Sequence, residues 1–443
     1  MFKRTFALSL LVAAAISARA QPSPTADDGT PVPAPAPAIN ALTPTGNAAG
    51  PLSLEDALGI AAESNPLLRA ARSDADASVG TFIQAGARPN PSISFLQEGF
   101  GGQERTTTVL VNQTIELGGK RRTRLDVASY GREIALASLD GRAAALRADV
   151  ADAFYGLLAA QRQLKVAEES ADIAARSADM ADKRARAGKV SPVEATKARV
   201  AATGVQIALA GARTRVTTAL EKLVNVTGSA AARDRVATGN LDDIPEAEPL
   251  SQFLQRLDTS PVARAARAEM LRSNALVSVE KAKRVPDVTF SAGMKRVITG
   301  GRPDNQAVVG VSIPLPVFDT NKGAILEAVH KAAKADADFD GERARLQLEL
   351  TQTYANYENS TQEARRLKAD VLPAARESLD AMSRGYQLGK FSFLDVLDAQ
   401  RTLFQGQSQY VQALTDAHRA YADLSRLSGS PLRSDLRTTA NLP

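Results

Sequence analysis

The stretch Gly389-Lys390-Phe391-Ser392-Phe393-Leu394-Asp395 repeats, in altered form, the stretch Gly188-Lys189-Val190-Ser191-Pro192-Val193-Glu194, 201 residues earlier. Both contain a glycine-lysine pair, a serine, and an acidic residue three positions after that serine. A glycine is the residue that most readily ends a helix in the left-handed conformation. A serine followed three positions later by an acid predicts a capping box that starts the next helix. The pattern therefore predicts two tight turns between antiparallel helices, with tips near 188–192 and 389–392.

Other matches share this period of about 200 residues. They pair Asn65-Pro66 with Ser260-Pro261, Pro91 with Pro286, and Ile115-Glu116-Leu117 with Ile313-Pro314-Leu315. A period this long indicates a duplicated domain rather than a short-repeat solenoid. We place the first repeat at 51–245 and the second at 246–433, with a tail at 434–443.

Each repeat begins with a predicted helix, Leu52 to Ala87 or Leu250 to Arg284. A β-hairpin follows at 89–117 or 286–316, because apolar and polar residues alternate there in runs of about ten, the length of a tilted strand crossing a bilayer. We expect the glycine-rich stretches to form the hairpin turns. They lie at 99–102 and 300–301.

The chain from Lys120 to Ala187 contains no proline and predicts one helix about 100 Å long. Its apolar residues alternate at intervals of three and four, which is typical of a coiled-coil seam. They are Leu164, Ala167, Ala171, Ala174, Ala178, Ala181 and Ala185. The returning helix is expected to continue the seam at Val193, Thr196, Val200, Thr203, Ile207 and Ala210.

The second repeat predicts a similar hairpin, interrupted at Pro373 and richer in aromatic residues. Its expected seam residues are Leu394, Leu397, Phe404, Val411, Leu414 and Tyr421. Aromatic residues make up 5% of the chain, and alanine takes their place in closely packed helices. The predicted fold is mainly α, with a smaller β part.

Composition excludes several functions. The chain has no cysteine, and its histidines, His330 and His418, are far apart. We therefore predict no disulfide, no metal site, no cofactor and no enzyme activity. Both histidines are expected to be surface or packing residues. The net charge of +5 is too small to indicate nucleic acid as a partner.

Residues 1–20 predict a secretory signal peptide, with Lys3 and Arg4 before an apolar run and an Ala18-Arg19-Ala20 cleavage site. Residues 21–50 are rich in proline and alanine and predict a flexible linker. No cysteine follows the predicted cleavage site, so no lipid anchor at the new N-terminus is expected. No other stretch is long and apolar enough to predict a transmembrane helix.

Two apolar-faced hairpins in a bilayer would leave unpaired backbone groups at their edges. Three chains could close one barrel of twelve strands. The alternative is a small soluble sheet that caps the helices, and periodicity leaves both open.

The sequence from Tyr386 through Gly389, Ser392 and Asp395-Val396-Leu397-Asp398-Ala399-Gln400 resembles the second periplasmic tip of the TolC family of outer-membrane efflux ducts. The order of elements is similar over about residues 51–430. The resemblance implies a homotrimer with a twelve-stranded β-barrel in outer-membrane lipid, on a periplasmic α-helical barrel. It also implies a periplasmic adaptor and an inner-membrane pump of the RND type as partners. The stretch from Ile115 to Arg121 resembles the branch that serves heavy-metal cation exporters.

The family's gate aspartates match Asp395 and Asp398, and Glu194 is the counterpart in the first repeat. Asp395 and Asp398 share a helix face, so a trimer would form two carboxylate rings that gate the duct or select cations. Helix capping for Asp395, and a solvated helix face for Asp398, are the simpler alternatives. Tyr386 is expected either to bond to a neighbouring helix and hold the tip closed or to fill the seam.

The tips are predicted to contact the adaptor, in addition to being tight turns. The residues concerned are Gly188, Lys189, Ser191, Gly389, Lys390 and Ser392. The basic cluster of Lys120, Arg121, Arg122 and Arg124 predicts an anchor at the membrane interface or an ordinary solvated helix start.

We therefore predict a passive trimeric export duct of the outer membrane for heavy-metal cations. The alternative is a soluble periplasmic coiled-coil adaptor or scaffold, which would carry one helical hairpin rather than two.

Overall fold

The computed structural model of the chain describes residues 50–100 and 104–430. The predicted signal peptide, all but the last residue of the linker, and the tail at 434–443 lie outside these ranges. So do two residues of the glycine-rich stretch at 99–102.

Each half of the described chain has helices, two strands and a long helical hairpin, in that order. The first half comprises α1 (Leu54–Ser64), α2 (Pro66–Ala85), β1 (Ser92–Glu98), β2 (Glu104–Ile115), α3 (Lys120–Arg186) and α4 (Pro192–Thr227). The second comprises α5 (Leu250–Arg256), α6 (Pro261–Lys283), β3 (Val288–Thr299), β4 (Arg302–Ser312), α7 (Lys322–Arg366), α8 (Leu372–Gln387) and α9 (Phe393–Ser428).

The first helix of each repeat is broken, so the prediction of one uninterrupted helix was wrong. Asn65 is extended, with φ −66° and ψ 121°, and its side chain caps α2. Ser260 separates α6 from a 3₁₀ turn at Leu257–Thr259 in the same way. The cause is shared, because a residue that precedes proline is pushed out of the α-helical region.

The strands form one antiparallel sheet in the order β1-β2-β3-β4. Both strand pairs were predicted, although β2 and β4 end before Leu117 and Ile313. The turn predicted at Gly300 and Gly301 forms with positive φ at both residues.

The two faces of the sheet differ in polarity. On one face apolar side chains are exposed. They are Ile93, Phe95, Val109, Val111, Phe290, Met294, Val309 and Val311. On the other face Asn112 donates to Ser94 at 3.1 Å and accepts from Ser291 at 2.7 Å. The first face is therefore mainly apolar, although Thr107 donates to Gln97 on it at 2.8 Å. The second face is mainly polar, although Leu96 is exposed on it.

The long helices form a wall in which α3 has neighbours on both sides. α2 and α4 pack on one side of α3, while α6 and α9 pack on the other. α7 then packs against both α6 and α9, and α8 packs against α9. The wall and the sheet thus place the two repeats in the same order. Both end with elements of the first repeat on one side and with elements of the second repeat on the other side.

The predicted long helix forms as α3, and its alanine seam is buried at Ala167, Ala171, Ala174, Ala178 and Ala181. The seam predicted for the returning helix was wrong. Its residues Val200 and Ile207 are 68% and 69% exposed, because α4 turns Ala195, Ala198 and Leu209 towards α3 instead.

The interruption predicted at Pro373 is a π-helical turn, Leu367–Val371, which joins α7 to α8. In the second seam, Val411 and Leu414 are buried as predicted, whereas Leu394 is exposed. No helix in the described ranges holds an eighteen-residue window apolar enough to cross a membrane.

Residues 233–249, which we call the strap, cross the wall between another 3₁₀ turn, Ala230–Ala232, and α5. Asp242 of the strap accepts hydrogen bonds from Arg162 of α3, at 2.7 Å, and from Tyr410 of α9. The Leu241 carbonyl is 3.0 Å from His418 Nε2. The His418 ring stacks on Tyr155, with 3.7 Å between centroids. His418 is thus a packing residue, as predicted, and it also attaches the strap to α9.

We expect the stability of the fold to decrease at acidic pH through His418. Burial holds the pKa of His418 below its ordinary value of 6.5. Below about pH 6.5 the unfolded chain therefore takes up a proton that the folded chain does not, and the free energy of unfolding falls by at most about 1.4 kcal/mol per pH unit.

Thermal unfolding of the protein and of the variant His418→Gln, between about pH 7.5 and about pH 5.5, measures this effect. The variant should lose less stability on acidification than the unmodified protein. Equal slopes would contradict the assignment.

Candidate functional site at the hairpin tips

Both tips turn as the sequence predicted. Gly188 and Gly389 have φ values of 70° and 76°. Lys189 N–H donates to the Arg184 carbonyl at 2.9 Å, and Lys390 N–H donates to the Gly385 carbonyl at 2.8 Å. These six-to-one bonds define a Schellman motif at each tip and satisfy carbonyls that the ending helices leave unpaired.

The capping box forms at the second tip and not at the first. Ser392 Oγ accepts from Asp395 N–H at 3.3 Å, and an Asp395 carboxylate oxygen accepts from Ser392 N–H at 2.8 Å. At the first tip Ser191 Oγ accepts from Val193 N–H instead. The box predicted for Glu194 is therefore wrong, because its carboxylate has another partner.

That partner is Tyr386, which lies between the two tips and is 4% exposed. Its hydroxyl donates to Glu194 Oε1 at 3.1 Å. Burial and this hydrogen bond to a carboxylate raise the pKa of Tyr386. The ring also packs against Phe393, at 5.7 Å between centroids. The Tyr386 side chain therefore both bonds to the neighbouring helix and fills the space between the helices, while its role in holding the tip closed stays a prediction.

Three further residues shape the tips and were missed in the sequence. Arg184 Nη1 donates to the Tyr386 carbonyl at 2.5 Å, and its guanidinium lies 4.5 Å from the centre of the Tyr386 ring. A Cβ on Gly385 would lie 2.0 Å from the Phe391 ring, so only glycine fits there. Two features of the sequence could have indicated these contacts. One is the basic last turn of α3, and the other is Phe391, an aromatic residue at the position that Val190 holds in the first tip.

The remaining predicted tip residues face outward. Asp395 and Asp398 are exposed on α9, and Asp395 is also held by the cap. Lys189, Ser191, Lys390 and Ser392 are exposed as well, so their side chains are accessible to a partner. The structure thus joins Tyr386 to Glu194 and places the two aspartates one helical turn apart on an open face.

The basic cluster at the start of α3 connects sheet and wall. Lys120 pairs with Asp287 at 2.7 Å, and Arg124 pairs with Glu116. Arg121 Nε donates to the Gly86 carbonyl at the end of α2, at 2.6 Å. These three side chains thus bind residues next to strand ends and a helix terminus within the chain, and the membrane-interface anchor stays a prediction.

Within residues 50–100 and 104–430, no three His, Cys, Asp or Glu side chains gather in a way that could hold a metal ion.

A four-stranded sheet thus continues into two long helical hairpins, whose tips are joined by a tyrosine and a carboxylate. The chain belongs to the outer membrane efflux protein family, whose model matches residues 57–229 and 255–430. The resemblance to the TolC family is thereby confirmed.

Two relatives come from Cupriavidus metallidurans. The cobalt-zinc-cadmium resistance protein CzcC is 42% identical over 383 residues, which are 86% of this chain and 91% of CzcC. The nickel and cobalt resistance protein CnrC is 29% identical over 302 residues, 66% of this chain and 69% of CnrC.

Solved structures share the fold. The outer-membrane channel OprN matches with a TM-score of 0.74 and 19% identity, over 85% of this chain and 90% of OprN. CusC, a transmembrane channel, matches with a TM-score of 0.74 and 16% identity, over 85% of this chain and 92% of CusC. The predicted fold class is confirmed.

We expect the variant Ser392→Ala to loosen the second tip. It removes the side-chain acceptor for Asp395 N–H and thus costs about 1 kcal/mol of local stability. Amide hydrogen exchange at residues 393–395 should become about five-fold faster. The variant Ser191→Ala is the matched comparison and should change exchange in the first hairpin alone. Unaltered exchange in Ser392→Ala would show that the cap does not hold the tip.

Proposed function

We propose that this protein is the passive outer-membrane duct of a tripartite efflux system and that its substrates are divalent heavy-metal cations. Membership of the efflux family supports the duct. The resistance functions in the names of CzcC and CnrC support the choice of cations. The energy for export would come from an inner-membrane pump of the RND type, coupled through a periplasmic adaptor.

The observation that carries the proposal is that sheet and wall are open at corresponding sides. Among the residues that the structure describes, β1 and β4 each have one neighbouring strand. The wall likewise ends at α2 and α4 on one side and at α7 and α8 on the other. Neighbouring copies can pair these ends and close both layers at once. Three copies would give twelve strands, which meets the requirement that no strand edge is left unpaired in lipid.

The side chains at these ends suit contact with another copy. Val193, Val200 and Ile207 form an exposed apolar row along α4. Leu67 and Ile83 of α2, on the same side of the wall, are also exposed. On the opposite side, Leu326 and Leu348 of α7 are available to cover them. In this proposal the row on α4 is thus still a helix-packing seam, but it lies between two protomers rather than within one chain.

The apolar face of the sheet would contact outer-membrane lipid, and its face of serine, threonine and asparagine would line the pore. We further propose that residues 1–20 are the export signal and 21–50 a linker, that repeats at 51–245 and 246–433 precede the tail, and that the exposed tip residues meet the adaptor. No step of this function requires a catalytic residue.

We expect the variant Tyr386→Phe to open the duct. It removes the hydrogen bond to Glu194 and keeps the ring, and a hydrogen bond to a charged group contributes about 1.5–3 kcal/mol. Open probability in planar bilayers should rise at least about ten-fold. Tyr354→Phe, remote from the tips, is the control. Equal open probabilities would rule out Tyr386 as a latch.

The aspartate rings are tested by Asp395→Ala combined with Asp398→Ala. Loss of six carboxylates from a trimer should reduce the preference for cations over anions, measured as the reversal potential in a salt gradient. Because Asp395 also caps α9, the variant Asp398→Asn provides a second measurement without loss of the cap. An unchanged reversal potential in both variants would contradict a selecting ring.

The function as a whole is tested by deleting the protein and measuring growth against cobalt, zinc and cadmium salts. We expect sensitivity to at least one of these metals, restored by the unmodified protein. Membrane fractionation should yield a detergent-requiring trimer from the outer membrane. A soluble periplasmic monomer would favour the adaptor or scaffold instead.

A further inference from the structure

One face of α9 is polar along half of the helix. Its residues follow at intervals of three and four, beginning at Asp395 and Asp398 and reaching the half-buried Asp416 and then the exposed Arg419, which pairs with Asp152 of α3. Between Asp398 and Asp416 lie Thr402 and the amides Gln405, Gln409 and Gln412, which together we call the amide stripe. None of these four positions is apolar or charged. Leu394 and Arg401 border the face, but they do not interrupt it.

The opposite face of α9 carries the strap. Tyr410 binds Asp242, and His418 contacts the Leu241 carbonyl. At 3.6 residues per turn, Gln412 points about 200° away from Tyr410, and Asp416 points about 200° away from His418. α3 packs beside α9, and α7 and α8 pack at its other flank. The amide stripe therefore lies on the side of the wall that the strap does not cover.

The strap identifies the outside of the duct. In a trimer, three straps with their attached short helices would fill the lumen if they lay inside it, and nothing could pass. They must surround the wall, so the bare side of α9 faces the lumen. This step rests on the proposed function, because it requires that the wall closes into a tube.

The duplication provides an independent comparison. With the offset of 201 residues between the tips, the four stripe positions correspond to Ala201, Gly204, Ala208 and Gly211 of α4. Small residues allow close approach of another helix and suit α4, which lies at the open end of the wall. Three of the same positions in α9 carry long amides, which a closely packed interface would not admit, and the fourth carries Thr402. The two copies have diverged where one helix meets a protein and the other meets water.

We propose that the amide stripe lines the lumen and passes hydrated divalent metal cations through contacts with their bound water. An amide oxygen accepts a hydrogen bond from metal-bound water without displacing it, so the ion keeps its hydration shell. Gln412 supports this role, because its Nε2 donates to both Asp416 carboxylate oxygens, at 2.9 and 3.0 Å. That contact directs its Oε1 away from Asp416 and leaves it free to accept.

The arrangement favours passage over retention. From Thr402 to Gln412 the stripe spans about 15 Å, with a side chain about every 5 Å. Many weak positions in series let an ion enter and leave, whereas one strong site would hold it. The stripe thus continues the path that begins at Asp395 and Asp398, with neutral acceptors in place of carboxylates.

Cysteine substitution tests the position of the stripe directly, because the natural chain contains no cysteine. The variants are Gln405→Cys, Gln409→Cys and Gln412→Cys, with Gln252→Cys on α5 as an exposed control on the strap side. Purified protein in planar bilayers is treated with a cationic methanethiosulfonate reagent. The current should fall by at least about a quarter in each stripe variant and remain constant in the control, while mass spectrometry shows labelling of all four.

Labelled stripe variants with unchanged current, or stripe variants that do not label, would overturn the inference and leave the duct intact. No current from the unmodified protein would overturn the proposed function itself, and the role of the stripe with it.

The cation class is tested with cobalt chloride gradients across the bilayer. The triple variant Gln405→Ala, Gln409→Ala and Gln412→Ala should lower the permeability ratio of cobalt to chloride at least about two-fold. The double variant Gln252→Ala and Gln255→Ala should not alter it. An unchanged ratio in the triple variant would show that the stripe takes no part in cation passage.

Discussion

The architecture depends on backbone hydrogen bonding at the outer edges of β1 and β4. Within the described residues each of these strands is paired along one side, and in the proposed bilayer position no water would satisfy the other. Joining copies edge to edge would remove this cost, and the wall would then close with the same symmetry because it continues from the same strands. The junction links the two parts. Lys120 and Arg124 bind Asp287 and Glu116, so strand ends and helix starts are held together by ion pairs.

The two repeats have the same plan but different environments. α4 ends the wall and exposes an apolar row, whereas α9 lies inside the wall and is covered on three sides. The corresponding helices α4 and α9 therefore expose different surfaces, an apolar one on α4 and a polar one on α9. Duplication supplies the length of the wall, and divergence of single helix faces gives the two repeats different exposed surfaces. The tips follow the same logic, since Ser392 forms a full capping box while the acid at the first tip binds Tyr386.

Much of the fold could be predicted because it depends on local patterns. The absence of proline predicted α3 almost to the residue, and the glycines predicted both tips. The predictions that failed concern which residue or helix a given side chain contacts. The alternation at Val193, Val200 and Ile207 is genuine, but periodicity does not reveal whether the covering helix belongs to the same chain. Likewise Glu194 has the spacing of a capping residue, and only the approach of Tyr386 from the other repeat decides its hydrogen bond. Arg184 has no motif at all, because its role depends on a contact 202 residues away.

The π-helical turn before α8 has a consequence for the lengths of the two descending legs. The helical part of the first leg runs from Lys120 to Gly188, over 68 residue steps, and that of the second from Lys322 to Gly389, over 67. The two legs thus match within one residue, or about 1.5 Å of helical rise. A π turn accommodates an additional residue with little added rise. A single insertion in the second leg can therefore be absorbed at Leu367–Val371 while both tips remain level enough for Tyr386 to reach Glu194.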